Sequence, residues 1–446
     1  MLSNGQPVAA KQLVDVERGI VSREIFVNDE IYRQEQEQIF TRAWLFVGHE
    51  SHIPNPGDYL TSYMGEDPVL ISRDRQGQIH VFLNSCRHRG MKVCRYDDGN
   101  ASLFTCPYHG WSYGLDGSLV GVPRLKEGYY GELDKSEWGL VEVAQFHNYK
   151  GTLWATWDPS APPFLEYLGA FKVFLDGLVD GSDGSEAGSE ALLGIYKWRI
   201  ASNWKFVSEN FAGDHYHHVS HLSVEAVGIG PGRIGETRHG AIANYRAHLT
   251  SFPELGHCWR GGPPQPLDET VYPFAHFESP EVEAYFQRAY ERRKQLSTKT
   301  PPVWLFGGGG NIFPNTSFHV GYPRTIIVAQ PRGPMTTELW RWFLIDKDCP
   351  EEAKDLFRHY YMRYAGPAGM TEQDDMENWS YATAASKGPI ARRYPYNYQQ
   401  ALGHSHRYDG LSGALVTDGE FGETNSLTLY GRWAAFMDAK NWAELK

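Results

Sequence analysis

The stretch CRHRGMKVCRYDDGNASLFTCPYHGW, residues 86–111, sets Cys86-x-His88 and, after the seventeen residues 89–105, Cys106-x-x-His109. Each short loop offers one thiolate and one imidazole. Four-coordinate zinc also takes two Cys and two His, but zinc fingers keep their cysteines together and their histidines together. Gly90 and Gly110 follow the two pairs and free the backbone to turn tightly around a bound group. Upstream, DPVLISRDRQGQIHVFLNS (67–85) reads as two strands, with Val69 and Ile71, then Ile79, Val81 and Leu83, in period two. The four ligands are therefore predicted on loops at the tips of a small β domain.

One Cys and one His per loop suits a Rieske [2Fe–2S] centre, in which two thiolates hold one iron and two imidazoles the other. Cys94, inside the interval, reads as a plain thiol. The whole chain sets the context. It has 446 residues, enough for two or three domains, with 41% hydrophobic and 14% aromatic residues, as in folded globular proteins. No run of 18 apolar residues predicts a membrane span. The net charge of −12 speaks against a nucleic-acid surface. Five cysteines are too few for a disulfide scaffold in a chain of this length. MLSNGQPVAAKQLVDVERG lacks a basic start followed by an apolar core, so the expectation is a cytoplasmic protein with reduced thiols.

A Rieske domain needs only about 120 residues, so the electrons require a destination in the remainder. NWKFVSENFAGDHYHHVSHLS (203–223) holds His215, His217, His218 and His221. Fe(II) sites that activate O₂ use two His and one carboxylate, leaving positions open. His217 and His221 are i and i+4, one side of a regular helix, and Asp214 lies one turn earlier, placed to orient an imidazole. A solvated polar helix end is the plainer reading. The third ligand is sought in AGPAGMTEQDDMENWSYAT (365–383), where Thr371-x-x-Asp374 resembles a capped helix start. Asp374 and Asp375 then fall in the first turn, where either could merely serve the helix dipole.

Together these segments resemble the α (large, catalytic) subunit of Rieske non-haem iron ring-hydroxylating dioxygenases of the naphthalene and biphenyl type. CRHRG, CPYHGW, NWKFVSENFAGDHYH, GPAGMTEQDD and the closing KNWAEL match family segments in order, over nearly the whole chain. The resemblance implies that Cys86, His88, Cys106 and His109 hold the cluster. It implies that His217 and Asp375 ligate one mononuclear Fe(II), and that Asp214 bridges this iron to the cluster of a neighbouring subunit. Asn210 matches an asparagine near the iron, and Phe211 and Met370 fall where the family lines its substrate pocket. The family leaves four or five residues between its iron histidines, whereas His217 and His221 leave three. His221 is preferred because SHLS follows as in biphenyl-type enzymes and because i, i+4 needs no distortion of a helix; the alternative has His218 in place of His221 or His217.

The fold implied is α+β: an N-terminal arm (1–43), an all-β Rieske domain (44–159), and a helix-grip catalytic domain (160–446) with an antiparallel sheet flanked by helices. DGSDGSEAGSE (180–190) reads as a surface loop. SPEVEAYFQRAYERRKQL and CPEEAKDLFRHYYMRYAGP read as amphipathic helices with buried stripes Val282, Tyr285, Phe286, Ala289 and Ala353, Leu356, Phe357, Tyr360, Tyr364. The glycine runs GIGPGR (228–233) and FGGGGN (306–311) lack the remaining features of nucleotide loops.

Electrons are thus expected from a ferredoxin and an NAD(P)H-dependent reductase. The resemblance implies that they reach the cluster and cross a subunit boundary through His109 and Asp214 to His217. It also implies a β (small) subunit in an α₃β₃ ring and cis-dihydroxylation of an aromatic ring by O₂. Rivals are a Rieske monooxygenase acting on an aromatic acid or terpenoid-like ring, and an electron-transfer protein with a non-catalytic ligand-binding domain. An aromatic acid calls for a buried Arg or Lys near the pocket. In 203–223 and 366–379 the only basic residue besides His is Lys205, which points to a neutral hydrocarbon; side chains near NIFPNTSF are not placed by sequence.

Overall fold

The computed structural model describes residues 8–183, 188–192, 194–227, 248–261, 279–297, 308–320, 324–419 and 421–445. The chain divides into a unit of Phe40–Phe164 and a larger unit of Met1–Ile39 with Leu165–Lys446. Among the described residues no helix is long and apolar enough to cross a membrane.

The smaller unit is built from short antiparallel strands in three sheets. Ile79–Leu83, Asp67–Arg73, Asp58–Met64 and Asp98–Asn100 form a four-stranded sheet, and Leu119–Gly121, Ser112–Tyr113 and Phe104–Thr105 a three-stranded one. The third joins Gln145–Tyr149, Thr152–Thr156 and Leu45–His49. The simple in–out alternation read for residues 69–71 does not hold, because Val69, Leu70 and Ile71 are all buried. Both faces of that strand are covered, and Leu70 joins Phe82, Phe104 and Tyr113 in the core that also contains Cys86 and Cys106.

In the larger unit a ten-stranded antiparallel sheet runs from Ser189–Ala191 through Thr337–Asp346, Arg324–Pro331, Thr316–His319, Gly309–Ile312, His257–Arg260, His248–Phe252 and Leu415–Asp418 to Ser405–Arg407, with Tyr196–Ile200 also pairing on Thr337–Asp346. The helix Trp204–Gly213 lies on this sheet. Asn203 starts it by accepting from the Lys205 N–H at 3.0 Å. Its far end meets the helix Thr424–Asp438 so closely that a Cβ on Gly213 would lie 2.6 Å from that of Asn425. Asn425 Nδ2 donates to the Ala212 carbonyl, in the helix's last turn, at 2.7 Å. Pro280–Ser297 and Glu351–Tyr364 are helices, as their stripes require, and pack together through Val282, Phe286, Ala353 and Phe357. Tyr361 is buried there as well, while Leu356 and Tyr360 are half-buried. Met370–Ser386 is helical with Gly369 at its N-cap, so Thr371 sits inside the first turn and is not its cap. Glu372 is the acid of that turn, and Asp374 and Asp375 fall in the second.

Charge is buried where these elements meet. Glu35, at the end of the helix Asp29–Glu35, accepts from Lys205 Nζ at 2.5 Å, Trp433 Nε1 at 2.8 Å and Trp204 Nε1 at 2.9 Å. Both charged side chains are 1% exposed. Burial lowers the Lys205 pKa from its ordinary value, and Glu35 opposes that shift. Removing one partner of such a pair strands the other, so Lys205→Met is expected to destabilise the fold by roughly 3–5 kcal/mol, read as a loss of urea midpoint.

Glu209 lies one turn further along and accepts from Tyr398 Oη at 3.0 Å and from Tyr430 Oη. Burial outweighs those bonds and, helped by Asp214 and Glu423, raises its pKa to about 8. A carboxyl raised in the fold binds a proton that the unfolded chain has released, so stability falls as pH rises from the unfolded value of 4.5 toward 8. Glu209→Gln removes this dependence. The wild type is expected to lose Tm relative to this variant between about pH 5 and 8, by the equivalent of roughly a few kcal/mol; parallel Tm profiles would contradict the assignment.

Candidate functional site

The two Cys–His loops of the smaller unit are built alike. Cys86 N–H donates to Met91 O and Gly90 N–H to Cys86 O, both at 2.8 Å. Cys106 N–H donates to Trp111 O at 2.8 Å and Gly110 N–H to Cys106 O at 2.9 Å. Gly90 and Gly110 have φ of 72° and 75°, the left-handed region that this turn demands of both. Cys86 and Cys106 are buried, and the His88 and His109 rings lie 4.5 Å apart between centroids. Trp111 stacks on His88 at 5.2 Å. His88 Nδ1 is buried with no protein hydrogen-bond partner among the described residues, an atom awaiting a ligand bond.

The Tyr113 hydroxyl lies 3.3 Å from Cys86 Sγ and accepts from the Arg87 N–H at 3.1 Å. Burial, with the Cys86 thiol, pushes this phenol's pKa up and keeps it a donor. Burial also raises the Cys106 thiol, a cost that iron coordination offsets by stabilising the thiolate. This donor set fits a Rieske cluster.

In the larger unit the histidine segment is not the regular helix that i, i+4 spacing suggests. The helix ends at Gly213, and Tyr216–His221 is a 3₁₀ stretch followed by the short helix Leu222–Ala226. Asp214 accounts for the break. Its Oδ1 accepts from the Tyr216 and His217 N–H groups at 2.9 and 3.2 Å, so the side chain replaces a turn of backbone bonding.

His217 Nε2 and His221 Nε2 nevertheless lie 3.1 Å apart, with Asp375 Oδ1 at 3.4 and 3.3 Å from them. Ligands at about 2.1 Å from one metal, on one face of an octahedron, lie about 3 Å from each other, so these three atoms fit a 2-His-1-carboxylate centre. The far nitrogens are held too. His217 Nδ1 is 3.4 Å from Asp214 Oδ2, and His221 Nδ1 is 3.3 Å from Asp374 Oδ2, which also accepts from Ser223 Oγ at 3.2 Å. Each imidazole thus has an acid behind it, as metal-bound histidines require. Burial works to raise the Asp214 pKa, but His217 and Arg260 hold it below its ordinary value.

A cleft at these atoms is lined by Asn210, Phe211, Arg260, His319, Arg341 and Thr371, among others. Asn210 and Phe211 therefore join the triad. Met370 is half-buried and is not among the cleft residues. The side chain of His218, the alternative ligand, lies outside the described residues, as do 228–233 and 306–307 of the glycine runs. Sequence reasoning named Asp374 but not its place behind His221, and it missed Arg260, His319 and Arg341, which arrive from strands of the central sheet. Only tertiary structure brings those strands to the cleft.

Comparison with known proteins agrees with this geometry. Residues 43–146 match the Rieske [2Fe-2S] domain, and residues 189–409 the ring hydroxylating alpha subunit (catalytic domain). The chain is 37% identical to the biphenyl 2,3-dioxygenase subunit alpha of Rhodococcus jostii, over 97% of this chain and 92% of that one. It is 35% identical to a benzene 1,2-dioxygenase subunit alpha of Pseudomonas putida, over 97% and 94%. The structure superposes on naphthalene 1,2-dioxygenase from Rhodococcus sp. bound to indole with a TM-score of 0.80 and 33% identity, covering 99% of this chain and 100% of that one.

Chelator-stripped protein is expected to take up one Fe(II) per chain at the triad, and His221→Ala to lose that iron while the visible spectrum of the cluster persists. Uptake by the variant equal to the wild type would exclude His221 as a ligand.

Proposed function

Because the chain belongs to the family of Rieske ring-hydroxylating dioxygenase α subunits, we propose that it is the terminal oxygenase that adds both atoms of O₂ to one edge of an aromatic ring, giving a cis-dihydrodiol. The convergence of His217, His221 and Asp375 in a chain that also carries the paired Cys–His loops carries this reading. In it, Cys86, His88, Cys106 and His109 hold the [2Fe–2S] cluster, and the triad holds Fe(II). When bound, the cluster supplies single electrons and the iron the means of activating O₂.

The protein's own groups prepare that chemistry. Asp214 and Asp374 fix the two imidazoles through their far nitrogens and raise their basicity. Asp375 contributes one oxygen close to both histidines, consistent with two imidazoles and one carboxylate leaving positions open. Phe211 offers an apolar face to the ring, and its contact with His319, at 5.6 Å between centroids, limits how that face can turn. Asp214 is assigned a second task, as the link toward the cluster of a neighbouring subunit. The chain is one component of a multi-component system; its partners are proposed to be a β subunit in an α₃β₃ ring, with a ferredoxin and an NAD(P)H-dependent reductase.

Iron and acid-labile sulfide, measured on anaerobically purified protein, test the reading. Three iron to two sulfide per chain is expected, since the cluster accounts for two of each. Two iron to two sulfide, unchanged by Fe(II) reconstitution, would leave an electron-transfer protein with a ligand-binding domain.

A further inference from the structure

The cleft beside the iron triad is more polar than a hydrocarbon requires. Arg341 reaches it from the strand Thr337–Asp346 and is ion-paired with Glu372, both side chains at most 4% exposed. That pair engages one guanidinium nitrogen. Arg341 Nε and Thr371 Oγ1 are buried without a protein hydrogen-bond partner among the described residues, and both residues line this cleft. Native proteins leave few such atoms, so two donors around one cavity mark a place prepared for polar ligand atoms.

A second guanidinium lines the same cleft. Arg260, from the strand His257–Arg260, places Nη2 at 2.6 Å from His319 Nε2 and donates from Nη1 to the Asp214 carbonyl at 3.4 Å. With Asp375 committed to the metal, the lining itself holds two guanidiniums and the carboxylate of Glu372, while Asp214, whose carboxylate also feels Arg260, is not among the lining residues. Phe211 lines the same cleft, with the Arg341 guanidinium carbon 5.9 Å from its ring centroid. The cleft thus combines an aromatic face with a cationic, donor-rich wall. A neutral hydrocarbon would desolvate that wall and return no hydrogen bond, whereas a carboxylate accepts from guanidinium in charge-assisted bonds.

We propose that the substrate of this oxygenase is an aromatic acid whose carboxylate is bound by Arg260, with Thr371 Oγ1 and Arg341 Nε as further donors. Arg260 is then the specificity-determining residue. The inference rests on the oxygenase reading above and adds the substrate class to it.

Isothermal titration calorimetry on the anaerobic holoenzyme tests it, with matched pairs such as toluene against benzoate and biphenyl against biphenyl-4-carboxylate. The acid of each pair is expected to bind at least about tenfold more tightly. Arg260→Gln should weaken the acid by about tenfold or more and the neutral ring by less than about twofold, with Arg260→Lys restoring part of the loss. Thr371→Val, nearly isosteric, should cost the acid about two- to tenfold and supplies the same test should Arg260→Gln fold poorly. Neutral rings binding as well as the acids would overturn the proposal, as would variants that weaken both members equally. Product analysis separates the two readings. Acids that bind but are never converted to cis-dihydrodiols by metal-replete enzyme would sink the oxygenase reading alone; hydrocarbons converted while acids neither bind nor react would sink this inference alone.

Discussion

Three ligand atoms must meet within 3.4 Å of one another although two come from residues 217–221 and the third from residue 375. No local interaction brings them together. The larger unit satisfies the constraint by setting Trp204–Gly213 on a ten-stranded sheet and packing Met370–Ser386 against the 3₁₀ stretch that follows it. Asp214 joins the two tasks. Its carboxylate ends the helix by taking two backbone N–H groups and braces His217 from behind. The residue that breaks the helix is therefore also the one that aims the imidazole.

Buried charge sets the geometry around this point. The Glu35 carboxylate gathers Lys205, Trp204 and Trp433, tying the N-terminal helix to the start of the site helix and to the C-terminal helix. Farther off, Arg324 pairs with Asp346 and donates to the carbonyls of Leu178 and Asp180, while Asp346 accepts from Ser182 N–H and Tyr285 Oη. Such pairs contribute little net stability, since desolvation opposes their attraction. A mispacked arrangement, however, would strand a charge, so they select one arrangement of strands and helices over near alternatives.

The cleft divides metal binding and lining between separate elements of one scaffold. The metal residues lie on the site helix's continuation and on Met370–Ser386, whereas Arg260, His319 and Arg341 come from three strands of the sheet. A strand side chain can change without moving the triad, so chemistry and specificity vary separately on one fold.

The cluster loops were legible in the sequence because each is a closed local unit: five residues with a cysteine, a histidine and a left-handed glycine specify their own turn. The amphipathic helices 280–297 and 351–364 were legible for the same reason, since periodicity is local. Sequence alone could not show that 216–221 winds as a 3₁₀ stretch, because the Asp214 side chain competes there with the helical backbone. The chemistry of the residues did not divide the labour between Asp374 and Asp375, and only the family resemblance pointed to Asp375; their roles follow from which imidazole nitrogen each meets. The two arginines of the cleft were out of reach altogether. The residues nearest the iron in sequence carry no cation but Lys205, and that ammonium is buried against Glu35. Sequence by itself determined the metal chemistry and the fold family, since ligand spacing is written along the chain. Only the tertiary structure decided what surrounds the iron, because a cleft is lined by strands that become neighbours when the sheet closes.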